Sequence, residues 1–364
     1  IVACLVGSEM CIRDRSGAAF NPSLAPLGIS GFGTSFLAFG AGSVDSGPYA
    51  GSYTPFQNIP DPNCIANKGI LFPQASGSRC GFFYGDRFNV VNDEDHLKTY
   101  TSFQTELSNG RTFKVDYLTS EIDVNDNFQS PSYPALSLAT PANIIMPGQG
   151  GSPFSFPVMF LGRALGSAFD SPAAPRYLEA QRLSLGLSGE LNNGFDMDIN
   201  YTYSAEDNKG YQPDTSTSRF LNAIRGGSGA PGTWNLFDST SNSQELIDYI
   251  GTFQATFVDV KLHVLDFVMT GMVNDVEVAT GFQWRKEHHD VARNDDSIAG
   301  FDANGNLSEP ADLIFLGGGI ETTASRAAYA VFAEAAKQAS EKVELRGAVR
   351  YESLESDSTP VSYT

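Results

Sequence analysis

Between Leu183 and Tyr203 apolar and polar residues alternate without a slip, break once at a turn, and alternate again. Leu183, Leu185, Leu187 and Leu191 fall on one side; Arg182, Ser184, Ser188 and Glu190 fall on the other. After Asn192-Asn193-Gly194, the run Phe195, Met197, Ile199, Tyr201 and Tyr203 alternates with Asp196, Asp198, Asn200, Thr202 and Ser204. A strict period of two means strands with one apolar and one polar face. Asn-Gly between two such runs marks a hairpin.

Three more hairpins follow the same rule. Leu97 to Glu121 turns at Ser108-Asn109-Gly110, with Phe113, Val115 and Tyr117 opposite Lys114 and Asp116. Val258–Thr270 pairs with Val276–Glu287 across Met272-Val273-Asn274-Asp275, and Arg326–Ala335 pairs with Val343–Glu352. Each strand reaches the roughly 9–11 residues that cross a bilayer, and short turns alternate with long loops, as in an outer-membrane barrel. The expected fold is all-β: a partial antiparallel transmembrane β-barrel of about eight or more strands, with short periplasmic turns and long extracellular loops. Tyr117, Tyr203, Trp284 and Tyr351 are placed as an interfacial girdle would be, with ordinary sheet packing as the alternative.

No apolar run is long enough for a transmembrane helix, so a membrane span here requires a closed barrel. Charged residues make up 18% of the chain, ordinary for a barrel in which every second strand residue meets lipid. The net charge of -19 argues against nucleic acid as a partner, because phosphate backbones need a basic footprint. Acidic loops either stay solvated or attract cations, and solvation is the simpler reading.

The first fifteen residues, Ile1 to Arg15, carry no basic stretch ahead of an apolar one, unlike a signal peptide. They resemble translated sequencing-adapter DNA found at the ends of metagenomic reading frames. Residues 1–15, with Cys4 and Cys11, are therefore expected to be non-native, and 16–364 to be part of one barrel domain. Ser16 to Asp95 is rich in turn formers and reads mostly as loop with room for one or two strands. The loop Ile122 to Ala180 carries Pro131, Pro134, Pro141, Pro147 and Pro153, which argues against central strands. The loop from Ala205 to Phe257 holds a short helix, Ser243 to Ile250, with Ser243 as N-cap. The loop His288 to Thr323 contains the turn Asp302-Ala303-Asn304-Gly305-Asn306.

Cys64 and Cys80 bracket a loop. In an exported protein they suit a disulfide, worth about 3 kcal/mol on the chain-entropy account; the alternative is two free thiols. No cysteine spacing suggests a metal site. Gly28 to Gly33 and Gly226 to Gly232 lack the strand-to-helix setting of a phosphate loop. Asn92-Asp93-Glu94-Asp95-His96 matches no calcium loop and reads as a solvated turn. His288-His289-Asp290 offers too few ligands for zinc. No G-x-S-x-G or other catalytic constellation is legible, and no cofactor is implied. Tyr211, Trp234 and Phe237 are loop aromatics that would stack on a ligand or pack within the loop.

Phe332-Ala333-Glu334, followed after a turn by Leu345-Arg346-Gly347-Ala348-Val349-Arg350-Tyr351-Glu352, resembles a strand pair of TonB-dependent outer-membrane receptors. Gly281-Phe282-Gln283-Trp284-Arg285-Lys286-Glu287 is similar to that family's G-x-E-x-R-x-E strand, with Gln283 in place of Glu. Ala335-Ala336-Lys337 departs from the usual apolar-Pro before the turn. The resemblance runs from about Cys64 to Glu352. It implies a central slice of a barrel of about 22 strands, without plug, TonB-contacting segment, signal peptide or final strands. It further implies energised uptake, through the TonB complex, of a siderophore-iron complex, cobalamin or an oligosaccharide across the outer membrane of a Gram-negative bacterium. Outer-membrane lipid is the other implied partner, and the barrel does no bond chemistry. A passive plugless porin and a secreted all-β binding protein, its apolar faces buried between two sheets, are the alternatives.

Overall fold

The computed structural model describes residues 29–30, 33–83, 89, 91–125, 143–166, 168–169 and 172–356. The segment 1–15 with Cys4 and Cys11, residues 28, 31 and 32 of the 28–33 glycine string, and Pro131, Pro134 and Pro141 lie outside them.

Eight long strands form one antiparallel meander: β1 (Glu94–Glu106), β2 (Thr112–Val124), β3 (Arg176–Glu190), β4 (Asp196–Thr215), β5 (Gly251–Val273), β6 (Val276–Arg293), β7 (Thr322–Ser340) and β8 (Val343–Ser356). Every strand pairs with its sequence neighbours, so the hairpins read from alternation are the units of the sheet.

The turns explain the pairing. Leu107 N donates to the Arg111 carbonyl and Gly110 N to the Leu107 carbonyl, and Leu191, Phe195 and Gly194 repeat this arrangement. Gly110 (φ 74°) and Gly194 (φ 78°) occupy the left-handed region that other residues resist. Asn274 does the same at φ 56° in the two-residue β5–β6 turn. All four short turns lie at one end, and the long connections at the other.

Register decides what each face carries. Val115, Leu185, Tyr201, Leu265, Trp284 and Tyr329 are successive partners across six strands. Two residues nearer the turns run Phe113, Leu187, Ile199, Phe267, Phe282, Val331 and Tyr351. The opposite face between these rows holds Lys114, Gly186, Asn200, Asp266, Gln283, Ala330 and Glu352. One face is thus a continuous apolar belt and the other polar, the division a barrel needs between lipid and lumen.

The strands are longer than the alternation alone marks. β5 has 23 residues, which at about 3.3 Å each extends about 76 Å, roughly twice what a tilted strand needs to cross lipid. Ala205 to Thr215, Gly251 to Phe257 and His288 to Arg293, expected as loop, are strand. Tyr203, Trp284 and Tyr351 therefore stand mid-strand.

The long connections are folded rather than loose. Seven short strands lie within 29–83, where one or two were expected. Ile144–Ile145, Val158–Leu161, Ser35–Ala38 and Asn58–Pro60 form a four-stranded sheet in that order, and Ile29–Ser30, Ser78–Phe83 and Gly69–Pro73 form a three-stranded one. Val158–Leu161 is a buried central strand, contrary to the expectation from proline content. Pro157 precedes it, where the lack of an N–H costs no ladder bond.

Candidate functional site

The segment ahead of β1 and two connections share one apolar core at the loop end of the sheet. Phe36, Tyr49, Phe154 and Phe160 come from the first two, and Phe220, Trp234, Leu246 and Ile250 from the third. The third supplies two helices. α1 (Thr217–Arg225) starts at Ser216, whose hydroxyl accepts from Arg219 N, and ends at Gly226 in the left-handed conformation. It buries Phe220, Ala223 and Ile224 at helical spacing. α2 (Gln244–Ile250) is the helix expected from Ser243, whose hydroxyl accepts from Leu246 N at 3.3 Å. α1 was missed, although Ser216, the 220/223/224 spacing and Gly226 together mark it.

The connection 294–321 is tied to this cap by three aspartates. Asp214, at the end of β4, accepts from Leu316 N at 2.7 Å and Phe315 N at 3.1 Å. Asp312 accepts from the Ser216 hydroxyl, and from Ser218 N and Oγ at 2.7 Å each. Asp296 pairs with Arg219 at 2.9 Å and accepts from Thr252. Burial pushes the Asp312 carboxyl up, but the Ser216 and Ser218 hydrogen bonds and the Arg219 charge outweigh it and hold the group below its ordinary value. Elsewhere in the cap, burial raises the Asp61 carboxyl against the N–H it accepts from Asn63. Burial, with Asp61 second, raises the Tyr49 phenol.

Against this cap, the polar face of the sheet forms a cavity of about 280 Å³ lined by Arg176, Asn208, Gly210, Gln212, Gln254, Thr256 and Val258. These residues share the parity of Ser184, Asn200 and Asp266, so they face the lumen side at the loop end of β3, β4 and β5. Gln254 accepts from Gly318 N at 3.0 Å, and Thr256 accepts from Arg293 at 3.2 Å. The 294–321 connection thus abuts the cavity. Extending the alternation past Tyr203 through Ser204, Asn208 and Gln212 finds its β4 wall; nothing local in the sequence marks Asp312 or Gly318.

The three ligand-contact candidates do not converge on it. Trp234 has no exposed surface and packs on Phe220, ring centroids 6.2 Å apart. Phe237 stacks on Phe36 at 4.2 Å and 13°. Both are packing residues, because folding of the connections buries their aromatic area. Tyr211 lies on β4, on the apolar outward face, 5.9 Å from Phe253 and 5.8 Å from Phe257. Its odd position turns it away from the cavity.

Cys64 and Cys80 are joined, Cα atoms 5.8 Å apart and both side chains buried. The bridge closes the chain between Asn58–Pro60 and Ser78–Phe83. Glu94 and His96 pair at 3.0 Å on exposed β1, and His288 and His289 point to opposite faces of β6. Among the described residues no group of three or more His, Cys, Asp or Glu side chains is placed to hold a metal. Asp302 closes its own turn by accepting from Asn304 N and Asn306 N.

No curated protein matches the chain. Among solved structures, a copper transporter, OprC, matches with a TM-score of 0.30 and 13% identity over 77% of this chain, which spans 39% of that structure's length. The family model described as TonB dependent receptor-like, beta-barrel, matches residues 145–364. That match takes in more than half of the chain and all strands from β3 to β8, and the chain belongs to the TonB-dependent receptor β-barrel family.

Proposed function

We propose that this chain is part of the barrel of an outer-membrane receptor-transporter of a Gram-negative bacterium. It captures a scarce nutrient from outside and passes it inward under TonB-supplied energy. The observation that carries this is the division of one sheet into an apolar belt and a polar lumen face, with a folded cap and a polar cavity at the loop end. Residues 1–15 are read as foreign to it, and 16–364 as part of one barrel domain.

The cavity's three amides, Asn208, Gln212 and Gln254, and the Arg176 guanidinium suit a hydroxyl-rich ligand. Such side chains exchange hydrogen bonds with hydroxyls, and a guanidinium engages anionic oxygens. A siderophore complex and an oligosaccharide both fit that description; cobalamin is the third candidate.

The test is uptake by cells carrying the full-length gene. Loss of growth on one ligand class after deletion, restored by the intact gene but not in a strain lacking TonB, is the expected result. Restoration without TonB would make the protein a passive pore. Recovery of the full-length protein from the aqueous phase, without detergent, would make it a secreted binding protein.

A further inference from the structure

The outward apolar belt ends in a basic patch. Beyond Leu265 and Trp284, away from the turns, the next partners on β5 and β6 are His263 opposite Lys286, then Lys261 opposite His288. All four share the face of Leu265, Phe267, Phe282 and Trp284, because side chains alternate along each strand. β4 supports the patch: the Tyr201 hydroxyl and His263 Nδ1 are 2.8 Å apart, and the Tyr203 ring centroid is 4.9 Å from that of His263. Lys261 pairs with Asp259 at 2.9 Å. Lys286 is exposed and pairs with no carboxylate among the described residues.

The next row outward is acidic. Glu121, Glu179, Asp207, Asp259 and Asp290 are successive partners on five strands. A chain of net charge -19 thus gathers two lysines and two histidines between an aromatic-apolar belt and a carboxylate row.

The level of the patch is what identifies its ligand. Lys286 stands eleven residues beyond the turn residue Asp275. At about 3.3 Å per residue and a tilt of about 45°, that distance climbs about 26 Å, against a lipid-facing band of about 25 Å. The patch therefore lies where hydrocarbon gives way to headgroups. Lysine ammonium groups bind phosphate as point charges, and imidazole N–H groups add donors.

We propose that Lys261, His263, Lys286 and His288 dock the phosphorylated headgroup of an anionic outer-leaflet lipid, whose acyl chains lie on Leu265, Phe267 and Phe282. The proposal rests on the membrane-spanning reading of the sheet. Like charge in the carboxylate row keeps the headgroup from sliding outward.

The test is native mass spectrometry of the full-length protein in detergent, titrated in turn with phosphatidylglycerol, phosphatidylcholine and inorganic phosphate. Folding of each variant is checked by heat-modifiable gel mobility. The wild type is expected to retain phosphatidylglycerol about tenfold more tightly than phosphatidylcholine, and millimolar inorganic phosphate is expected not to displace it. Lys261→Gln with Lys286→Gln is expected to abolish the preference. Lys286→Gln alone removes an exposed side chain without an ion pair, so the fold is kept and the preference is expected to fall severalfold. Lys209→Gln, beyond the acidic row, should leave it intact. Equal retention by wild type and either Lys286 variant, an equal loss in Lys209→Gln, or displacement by inorganic phosphate would overturn the proposal. A wild type that stays in the aqueous phase would overturn the membrane reading itself; a detergent-bound wild type without lipid preference would overturn only the lipid site.

Discussion

Gly281 sits where a side chain has nowhere to go. A Cβ there would lie 2.3 Å from the Phe332 ring edge and 2.6 Å from the Phe267 carbonyl oxygen. The oxygen belongs to the β5–β6 ladder and has little freedom to move. Gly281→Ala is expected to destabilise the barrel by about 1–3 kcal/mol, the range for forced overpacking. Its gel-mobility transition should fall in temperature, and an unchanged transition would refute the clash. Leu185, between Val115 and Tyr201 in the outward belt, makes the complementary prediction. Leu185→Arg puts a charge in lipid at a cost of about 2–4 kcal/mol, and should block membrane assembly where Ser184→Arg on the lumen face does not. Asp312 adds a pH dependence. Its folded-state carboxyl lies below the ordinary value, so its contribution is present above the unfolded value of about 3.9 and lost as pH falls through the folded one. Protease cleavage within 294–321 should rise below about pH 4 in wild type. In Asp312→Asn it should be raised already at pH 7, and a variant indistinguishable from wild type at pH 7 would remove Asp312 from the tie.

At the scale of elements, legibility followed the range of the information. The hairpins were legible because alternation and Asn-Gly turns are local: Asn193-Gly194 sits where β3 meets β4 and needs no distant partner. α2 was legible from one serine. Ser35–Ala38 was not, because its partners, Asn58–Pro60 and Val158–Leu161, lie 21 to 25 and 120 to 126 residues away, and a four-residue strand has too few positions to show a period. For Trp234 and Phe237 the sequence alone leaves ligand stacking and packing within the loop both open for the same reason, since only the folded cap reveals that their faces are taken. The Cys64–Cys80 bridge spans a short stretch of this cap, separation 16, and closing such a loop contributes about 3 kcal/mol on the entropic account. Reduction is expected to speed trypsin cleavage within 65–79, where Lys68 and Arg79 offer sites. Equal cleavage with and without reductant would mean the bond does not order the loop.

At the scale of the whole molecule, the eight long strands form an open sheet in which, among the described residues, the first and last strands, β1 and β8, each have one edge without a neighbouring strand. Unpaired edges recruit other strands, and in a barrel they are closed by the remaining strands. Uptake through such a barrel requires the apolar face of this sheet to meet lipid and the polar face to line the lumen. The most direct measurement places single nitroxide spin labels along 183–188 and 199–204 of the full-length barrel in bilayers. It then compares relaxation by oxygen, which concentrates in lipid, with relaxation by a water-soluble nickel chelate. Labels at the odd positions, Leu183, Leu185, Leu187, Ile199, Tyr201 and Tyr203, should favour oxygen, and those at Ser184, Gly186, Ser188, Asn200, Thr202 and Ser204 should favour nickel. A profile without period two, or with the parities exchanged, would contradict the account.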